Sequence, residues 1–506
     1  METRLRRLLE RGAADQPALG APGRADMNHG ELRALVDRTL ASLNGMGIGR
    51  NDRLAIVLPN GPEMAACFVA AACGVATAPL NPAYRAEEFE FYLSDLKARA
   101  LVVEQGSTSP AVDVARRMGV PLIELVPDLA AGAGSFTLHC DAPPGTAAEH
   151  PGLAEPGDVS MVLHTSGTTS RPKIVPLSQA NLCASAQHIA RTLAFTGADR
   201  GLNIMPLFHI HGLIAGVLTP LSAGSMVFCT PGFNALKFFA WMEEARPTWY
   251  TAVPTMHQTI LSRASKSADV IARHPLRFIR SSSSSIPPQV IREMEEVFGA
   301  PLIESYGMTE ATHQMASNPL PPAMRKPGSV GLAAGPEVAI MAEDGSLLPQ
   351  GATGEIVIRG PNVTAGYENN PKANAEAFTD GWFRTGDQGM MDEGGYVTLT
   401  GRLKEIINRG GEKISPREVD EILMDHPAVA QVVCFGMPHP KLGEEVAAAV
   451  VLREGQSATE RDLQAFVAGR AAEFKVPKKV LILDEIPKGA TGKLQRIGLA
   501  AKLGLG

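Results

Sequence analysis

The chain has 506 residues, 45% of them hydrophobic, enough to bury several cores and too many for a single one. Its 47 basic residues nearly balance 53 acidic ones, for a formal charge of −6, and no basic run forms the stripe that nucleic acid requires, which argues against nucleic acid as a partner. Six cysteines, Cys67, Cys73, Cys140, Cys183, Cys229 and Cys434, show neither C-x-x-C nor Cys/His metal spacing, which fits reduced thiols in the cytoplasm.

The first residues, METRLRRLLERGAADQP, are charged and amphipathic and lack the apolar core and small-residue cleavage site of a signal peptide. From Glu31 to Val103 helical patterns such as ELRALVDRTLASL alternate with β-rich runs such as RLAIVL and ALVV, the grammar of βαβ units around a parallel sheet. Within it, Met64 to Leu80 is the longest apolar stretch; it is Ala- and Gly-rich, falls just short of a bilayer span, and is expected as a buried helix leading into a strand. No membrane association is expected. The region from about Asp128 to Pro156 is rich in Gly, Ala and Pro and reads as a loop-rich connection before a strand at Ser160 to His164.

A second alternating stretch, Gly201 to Glu304, carries apolar runs at Ser225 to Cys229, Trp249 to Val253 and Phe278 to Arg280 and predicts a second doubly wound lobe. Between Gly328 and Gly401 short strands and Gly/Pro turns take over, and helices almost vanish, suggesting a small β-rich subdomain. Mixed signals return after Arg402, with helices expected at Pro416 to Met424 and Glu460 to Arg470 and strands at Val429 to Phe435 and Val446 to Leu452. The expected architecture is α/β: a large N-terminal domain (residues 1–402) of two doubly wound lobes plus a β-rich subdomain, and a smaller mobile α+β C-terminal domain (residues 403–506). The C-terminal KLGLG differs from a peroxisomal address of the SKL type.

Thr165 to Lys173 (TSGTTSRPK) follows an apolar strand with hydroxyls, flexible positions and a cation, so backbone amides and side chains can wrap an oligophosphate. It lacks Walker A spacing. Together with Tyr306 to Glu310 (YGMTE), Thr385 to Asp387 (TGD), Gly401 to Glu405 (GRLKE) and Lys488 to Lys493 (KGATGK), it resembles the adenylate-forming acyl-CoA synthetases along nearly the whole chain. Ser170 and Ile174 depart from that family's usual glycines.

The resemblance implies ATP, CoA and Mg²⁺, and an AMP-forming acid–thiol ligase. It places Thr165, Ser166, Gly167, Thr168, Thr169 and Lys173 on the phosphates, and Ser284, Ser285, Glu304, Ser305 and Tyr306 around adenine and substrate. Thr309 falls to the α-phosphate, Glu310 to Mg²⁺, and Asp387 and Arg402 to the ribose hydroxyls. A hard cation suits Glu310, since it takes a carboxylate and phosphate oxygens and needs few protein ligands. Lys493 matches the lysine that bridges the attacking carboxylate and the α-phosphate during adenylation, and a protein acetyltransferase acting on it is a further implied partner. Lys404 matches the interdomain hinge, and Gly410 and Gly411 the loop that shapes the thiol tunnel. Phe474, Lys475 and Lys478 are expected to contact the CoA nucleotide.

The acid must be read from the pocket. His209, His211 and His313 can donate hydrogen bonds, where a long-chain acid needs a dry tunnel, and with the serine tract they favour a small polar acid; His209 is also expected to be catalytic. Segments such as TEATHQM and LKEIINRGGEKISPREVD resemble the oxalyl-CoA synthetases in particular. His313 and the serines, chiefly Ser285, are then expected to hold the distal carboxylate. Malonate or another short acid is the alternative, weakened by the absence of an Arg just after YGMTEAT. A carrier-loading adenylation enzyme, which has no appended carrier segment after Lys493 to support it, and an inactive nucleotide-binding relative are the other readings.

Overall fold

The computed structural model describes residues 1–165, 172–487 and 494–506. Among the described residues the chain forms four sheets. The first lobe is a seven-stranded sheet whose parallel centre runs Leu122–Pro127, Ala100–Glu104, Arg53–Val57, Ala76–Pro79, Val159–Thr165. Chain order reverses at Arg53–Val57, so crossovers leave in both directions and helices cover both faces. The Ala-rich stretch is the helix Pro62–Ala72 followed by Ala76–Pro79, as its sequence suggests. With Ala at five of its eleven positions and every residue but Glu63 buried, the helix lets neighbouring elements approach closely on all sides.

The second lobe is a nine-stranded sheet. Its parallel centre runs Leu302–Met308, Phe278–Ser281, Trp249–Ala252, Arg200–Asn203, Met226–Cys229, again with a reversal of chain order at Arg200–Asn203. Apart from Arg200–Asn203 these strands carry β-branched or aromatic residues, and nearly all their residues are buried, which is what a parallel sheet covered by helices demands. Asn203 pairs with Thr251, Thr251 with Arg280, and Arg280 with Ile303, so these residues form one row across the sheet near its carboxyl edge.

The β-rich subdomain holds the antiparallel strands Glu337–Met341, Thr353–Arg359, Trp382–Met391, Phe378–Thr379 and Val397–Arg402. One short helix, Pro371–Ala377, interrupts it, capped by the Asn370 side chain accepting from Ala373 N–H. The C-terminal sheet packs the helices Pro416–Met424 and Glu460–Ala468 against the long hairpin Val429–His439 and Gly443–Leu452, over its own apolar core. The chain is thus a two-lobed α/β N-terminal region with a β-rich subdomain, followed by a smaller α+β domain.

The structure differs from the sequence reading in one connection. Phe136–His139, within the region read as loop, is a strand that pairs antiparallel with Leu122–Pro127 at the sheet edge. Four residues flanked by Gly and Ser carry too short a period to be seen alone; the existing edge supplies the hydrogen-bonding partner.

Candidate active site

The residues singled out in the sequence gather beyond the carboxyl ends of the second-lobe strands and against the β-rich subdomain, where open α/β sheets bind ligands. Lys173 opens the strand Lys173–Ser178 directly opposite Thr165. Its ammonium lies 4.3 Å from the ring centroid of Tyr367, whose hydroxyl donates to Glu310 at 2.8 Å. Ser166, Gly167, Thr168, Thr169 and Lys493 lie outside the described residues.

Glu310 sits in the single turn Thr309–Ala311 and is buried; burial pushes its pKa up despite the Tyr367 hydrogen bond and the nearby positive charges of Lys173 and Arg402. A buried carboxylate short of compensating charge is a fitting seat for a divalent cation. Thr309, half-buried, opens the same turn and accepts from Thr312 N–H at 2.9 Å. Thr364 N–H donates to Glu310 O at 2.7 Å, and Asn362 donates to both Ala311 O and Gln314 O, so the segment after the turn is clamped from the β-rich subdomain. Asn362 was not legible in sequence, because its importance comes from two carbonyls about fifty residues away.

Asp387 and Arg402 face each other across adjacent antiparallel strands, with Arg402 Nε 3.0 Å from Asp387 Oδ1. Tyr306 donates its hydroxyl to the other oxygen, Oδ2. Burial still raises the Asp387 pKa, with Arg402 and then the Tyr306 hydrogen bond opposing. Three residues read separately in the sequence therefore form one cluster, with a carboxylate held at its centre.

Glu304 is buried, accepts from Gly328 N–H at 3.1 Å, and has its pKa pushed up to about 8 by burial. Ser305 donates its hydroxyl to Ser281 O at 3.2 Å and Ser282 returns one to Ser305 O at 3.0 Å, so these hydroxyls stitch neighbouring strand ends. Ser284 and Ser285 are exposed and line a cavity of about 110 Å³ between the second lobe and the C-terminal domain, together with Pro254, Arg417, Asp420 and Arg496.

The histidines sort differently from their sequence reading. His211 and His313 are fully buried, their rings stacked with centroids 4.8 Å apart at 20°. His211 Nδ1 meets Ser283 Oγ at 3.0 Å and Nε2 meets Thr251 Oγ1 at 2.6 Å. The serine that reaches the histidines is thus Ser283 and not Ser285. Ser283 has φ +74°, which turns the chain out of the strand and sends the next two side chains to the surface. His209 is half-buried and accepts from His211 N–H through Nδ1 at 3.2 Å, closing the turn that leads into the π-helix His211–Leu218.

Behind the pair lies a residue the sequence reading passed over. Arg280, in the strand Phe278–Ser281, is fully buried, with Nη1 3.1 Å from His313 Nε2 and 3.4 Å from His211 Nε2, and Nη2 3.3 Å from Gln314 Oε1. The guanidinium sought just after YGMTEAT is supplied by another strand. An arginine inside an apolar run of a two-sided parallel strand was the available signal.

Lys404 is exposed, in the turn joining the β-rich subdomain to the C-terminal sheet. Gly410 and Gly411 form the turn of the hairpin Ile407–Ile414; Gly410 N–H donates to Leu442 O and Gly411 N–H to Asn408, so this conformation seats the loop on its own domain and not at the nucleotide cluster. Lys475 is paired with Glu418 at 2.6 Å.

The pattern of AMP-binding enzymes matches residues 6–368, and that of the AMP-binding enzyme C-terminal domain matches residues 418–493. The chain belongs to the AMP-binding enzyme family. It is 46% identical to an oxalate–CoA ligase of Arabidopsis thaliana over 95% of this chain and 94% of the relative, and 41% identical to an oxalate–CoA ligase of Saccharomyces cerevisiae over 93% and 90%. The ATP-bound crystal structure of MatB from Rhodopseudomonas palustris superposes with a TM-score of 0.87 at 30% identity, covering 98% of this chain and 97% of that one. The protein is an AMP-forming acid–thiol ligase of the acyl-CoA synthetase superfamily, using ATP and CoA through an acyl-adenylate. Among the described residues no helix is long and apolar enough to cross a membrane.

Proposed function

We propose that this ligase is an oxalate–CoA ligase, converting oxalate, ATP and CoA into oxalyl-CoA, AMP and diphosphate. The observation that carries the acid assignment is the buried, stacked His211–His313 pair with the half-buried Ser283 at its outer end, polar groups where a long-chain ligase needs an apolar tunnel. The identity to oxalate–CoA ligases of two organisms supports the same acid.

In this reading one carboxylate of oxalate attacks the α-phosphate, diphosphate leaves, and the CoA thiol then displaces AMP from the oxalyl-adenylate. Ser283 and His313 hold the distal carboxylate, with His211 orienting the Ser283 hydroxyl. Asp387 accepts the ribose hydroxyls and is oriented by Arg402 and Tyr306. Lys173, Thr165 and the loop between them hold the phosphates, and Thr309 faces the α-phosphate. Mg²⁺ would be held by Glu310, where it neutralises charge on the phosphate oxygens. Lys493 bridges the two anions during adenylation, and acetylation there would remove its charge. The domains divide between residues 402 and 403, with Lys404 as the hinge about which the C-terminal domain turns between half-reactions. A cytoplasmic setting fits the substrates.

The test is AMP release with ATP and Mg²⁺, with and without CoA, across oxalate, malonate, acetate, benzoate and octanoate. Oxalate is expected to dominate, and His313→Ala and Ser283→Ala to lower its kcat/KM by about 10-fold to 100-fold each, the value of one hydrogen bond to a charged group. Preference for another acid would overturn the assignment of oxalate and leave the ligase chemistry standing.

A further inference from the structure

Arg280 is a cation placed where a cation is costly. Its guanidinium is fully buried, its Nε–H has no hydrogen-bond partner, and among the described residues no carboxylate forms an ion pair with it. Burial, with nothing opposing it, draws its pKa down to about 9. A purely structural buried arginine is ordinarily matched by a carboxylate. The polar groups it meets are instead two imidazoles and an amide.

Those contacts fix protons. A guanidinium only donates, so the nitrogens it addresses, His313 Nε2 and His211 Nε2, must be acceptors. Both rings are then neutral and carry their proton on Nδ1. On that assignment His211 Nδ1–H donates to Ser283 Oγ at 3.0 Å, and the Thr251 hydroxyl, 2.6 Å from Nε2, is the main donor to that nitrogen's single lone pair, with Arg280 at 3.4 Å the longer contact. Ser283 Oγ accepts that proton with one of its two lone pairs, which leaves its own O–H available to donate to an acid. It is the half-buried member of the chain and thus the end an acid can reach. The order Arg280, His211, Ser283 is a directed series of donors that begins at a buried positive charge and ends at the pocket surface.

The backbone independently marks the same place. Ser283 and His313 both lie at positive φ, +74° and +93°, a conformation that side-chain-bearing residues seldom adopt. His313 can do so only because Gly307 has no side chain: a Cβ there would lie 1.7 Å from His313 O. The sheet register completes the assembly, since Thr251 and Arg280 are paired neighbours on adjacent strands.

We infer that Arg280 is the positioning residue that selects acids bearing a second anionic group beside the reacting carboxylate, by locking His211 and His313 as neutral Nδ1–H donors and by supplying the positive charge that the second anion offsets. The inference rests on the small-dianion reading above and deepens it. It accounts for the missing carboxylate partner: the partner is the substrate. A monoanionic acid of the same size leaves the charge unmatched and gains nothing from the chain.

The test compares wild type, Arg280→Gln and Arg280→Lys in the full chain, measuring kcat and KM for oxalate and for glyoxylate, a monoanion of similar size, with ATP saturating. Arg280→Gln is expected to lower kcat/KM for oxalate by about 100-fold, chiefly through KM, while glyoxylate changes only a few-fold; Arg280→Lys, which keeps the charge but not the planar fork, should recover part of the preference. Equal losses for both acids, or an oxalate preference that survives Arg280→Gln, would overturn the inference and leave the acid assignment intact. A wild type without preference for oxalate overturns the acid assignment first, and the inference with it. Should the variants not fold, ¹⁵N-histidine NMR of the wild type decides. Two neutral Nδ1–H tautomers, assigned with His211→Gln and His313→Gln, are expected, and Nε2–H tautomers or protonated rings at neutral pH would overturn the proton order.

Discussion

At the scale of single residues, three buried carboxylates set the pH behaviour. Burial raises Glu310 and Asp387 above the ordinary carboxylate range, and in the roles proposed for them both act as carboxylates, Glu310 toward a cation and Asp387 toward the ribose hydroxyls. The acid limb of kcat/KM for ATP is therefore expected at higher pH than free carboxylates would give, and Asp387→Ala should raise KM for ATP by about 10-fold to 100-fold in a steady-state assay. Glu304 affects stability instead. Its pKa rises from 4.5 to about 8 on folding, so between these values the native state holds a proton the unfolded state lacks, and stability falls as pH rises through that window. Glu304→Gln keeps the acceptor for Gly328 N–H without the charge. Its melting temperature should match the wild type near pH 5 and exceed it at pH 9; equal melting temperatures at both would show that burial costs this carboxylate nothing.

At the scale of elements, the helix Pro62–Ala72 shows how small residues and one large one divide the work. Its alanines permit close packing, and Phe68, fully buried, fills the space they leave. Phe68→Ala is expected to destabilise by about 3–5 kcal/mol in denaturant unfolding, the cost of a buried aromatic and its cavity. The end of the strand Leu302–Met308 is a different case, since Gly307 has room for no side chain at all. Gly307→Ala must push back the His313 backbone, so oxalate turnover should fall further than melting temperature does. The helix was visible as an apolar run long enough to be buried whole and leading into a strand, whereas Leu302–Met308 was read only through its YGMTE end. The edge strand Phe136–His139 was not visible, since its identity depends on the Leu122–Pro127 edge and not on its own four residues.

At the scale of the molecule, the second-lobe active-site region and the C-terminal domain meet around Ser284, Ser285, Arg417 and Arg496. Arg496 spans Asp420 at 2.6 Å and Glu405 at 3.3 Å, and Glu405 immediately follows Lys404. One guanidinium thus ties the connecting turn to the C-terminal helix. If Lys404 is the hinge, fixing its φ should separate the half-reactions: Lys404→Pro is expected to retain ATP-diphosphate exchange and lose most thioester formation. Loss of both in proportion would remove the hinge assignment.

The sequence by itself determined the reaction class. The motifs that carry the family resemblance are short and contiguous, and a contiguous motif keeps its meaning before the chain folds. Thr165 to Lys173, YGMTE, TGD and GRLKE could be read that way, and the fold then set Tyr306 of the second and Arg402 of the last against Asp387 of the third. The acyl pocket is of another kind. Ser283 and Arg280, His211, and His313 come from three separate segments, and what each does depends on which atom faces which. Composition could offer a serine tract and three histidines. Only the fold could choose Ser283 over Ser285, because a single positive φ decides which serine turns inward. Only the sheet register could set a buried arginine behind the imidazoles, where its donors decide their protons.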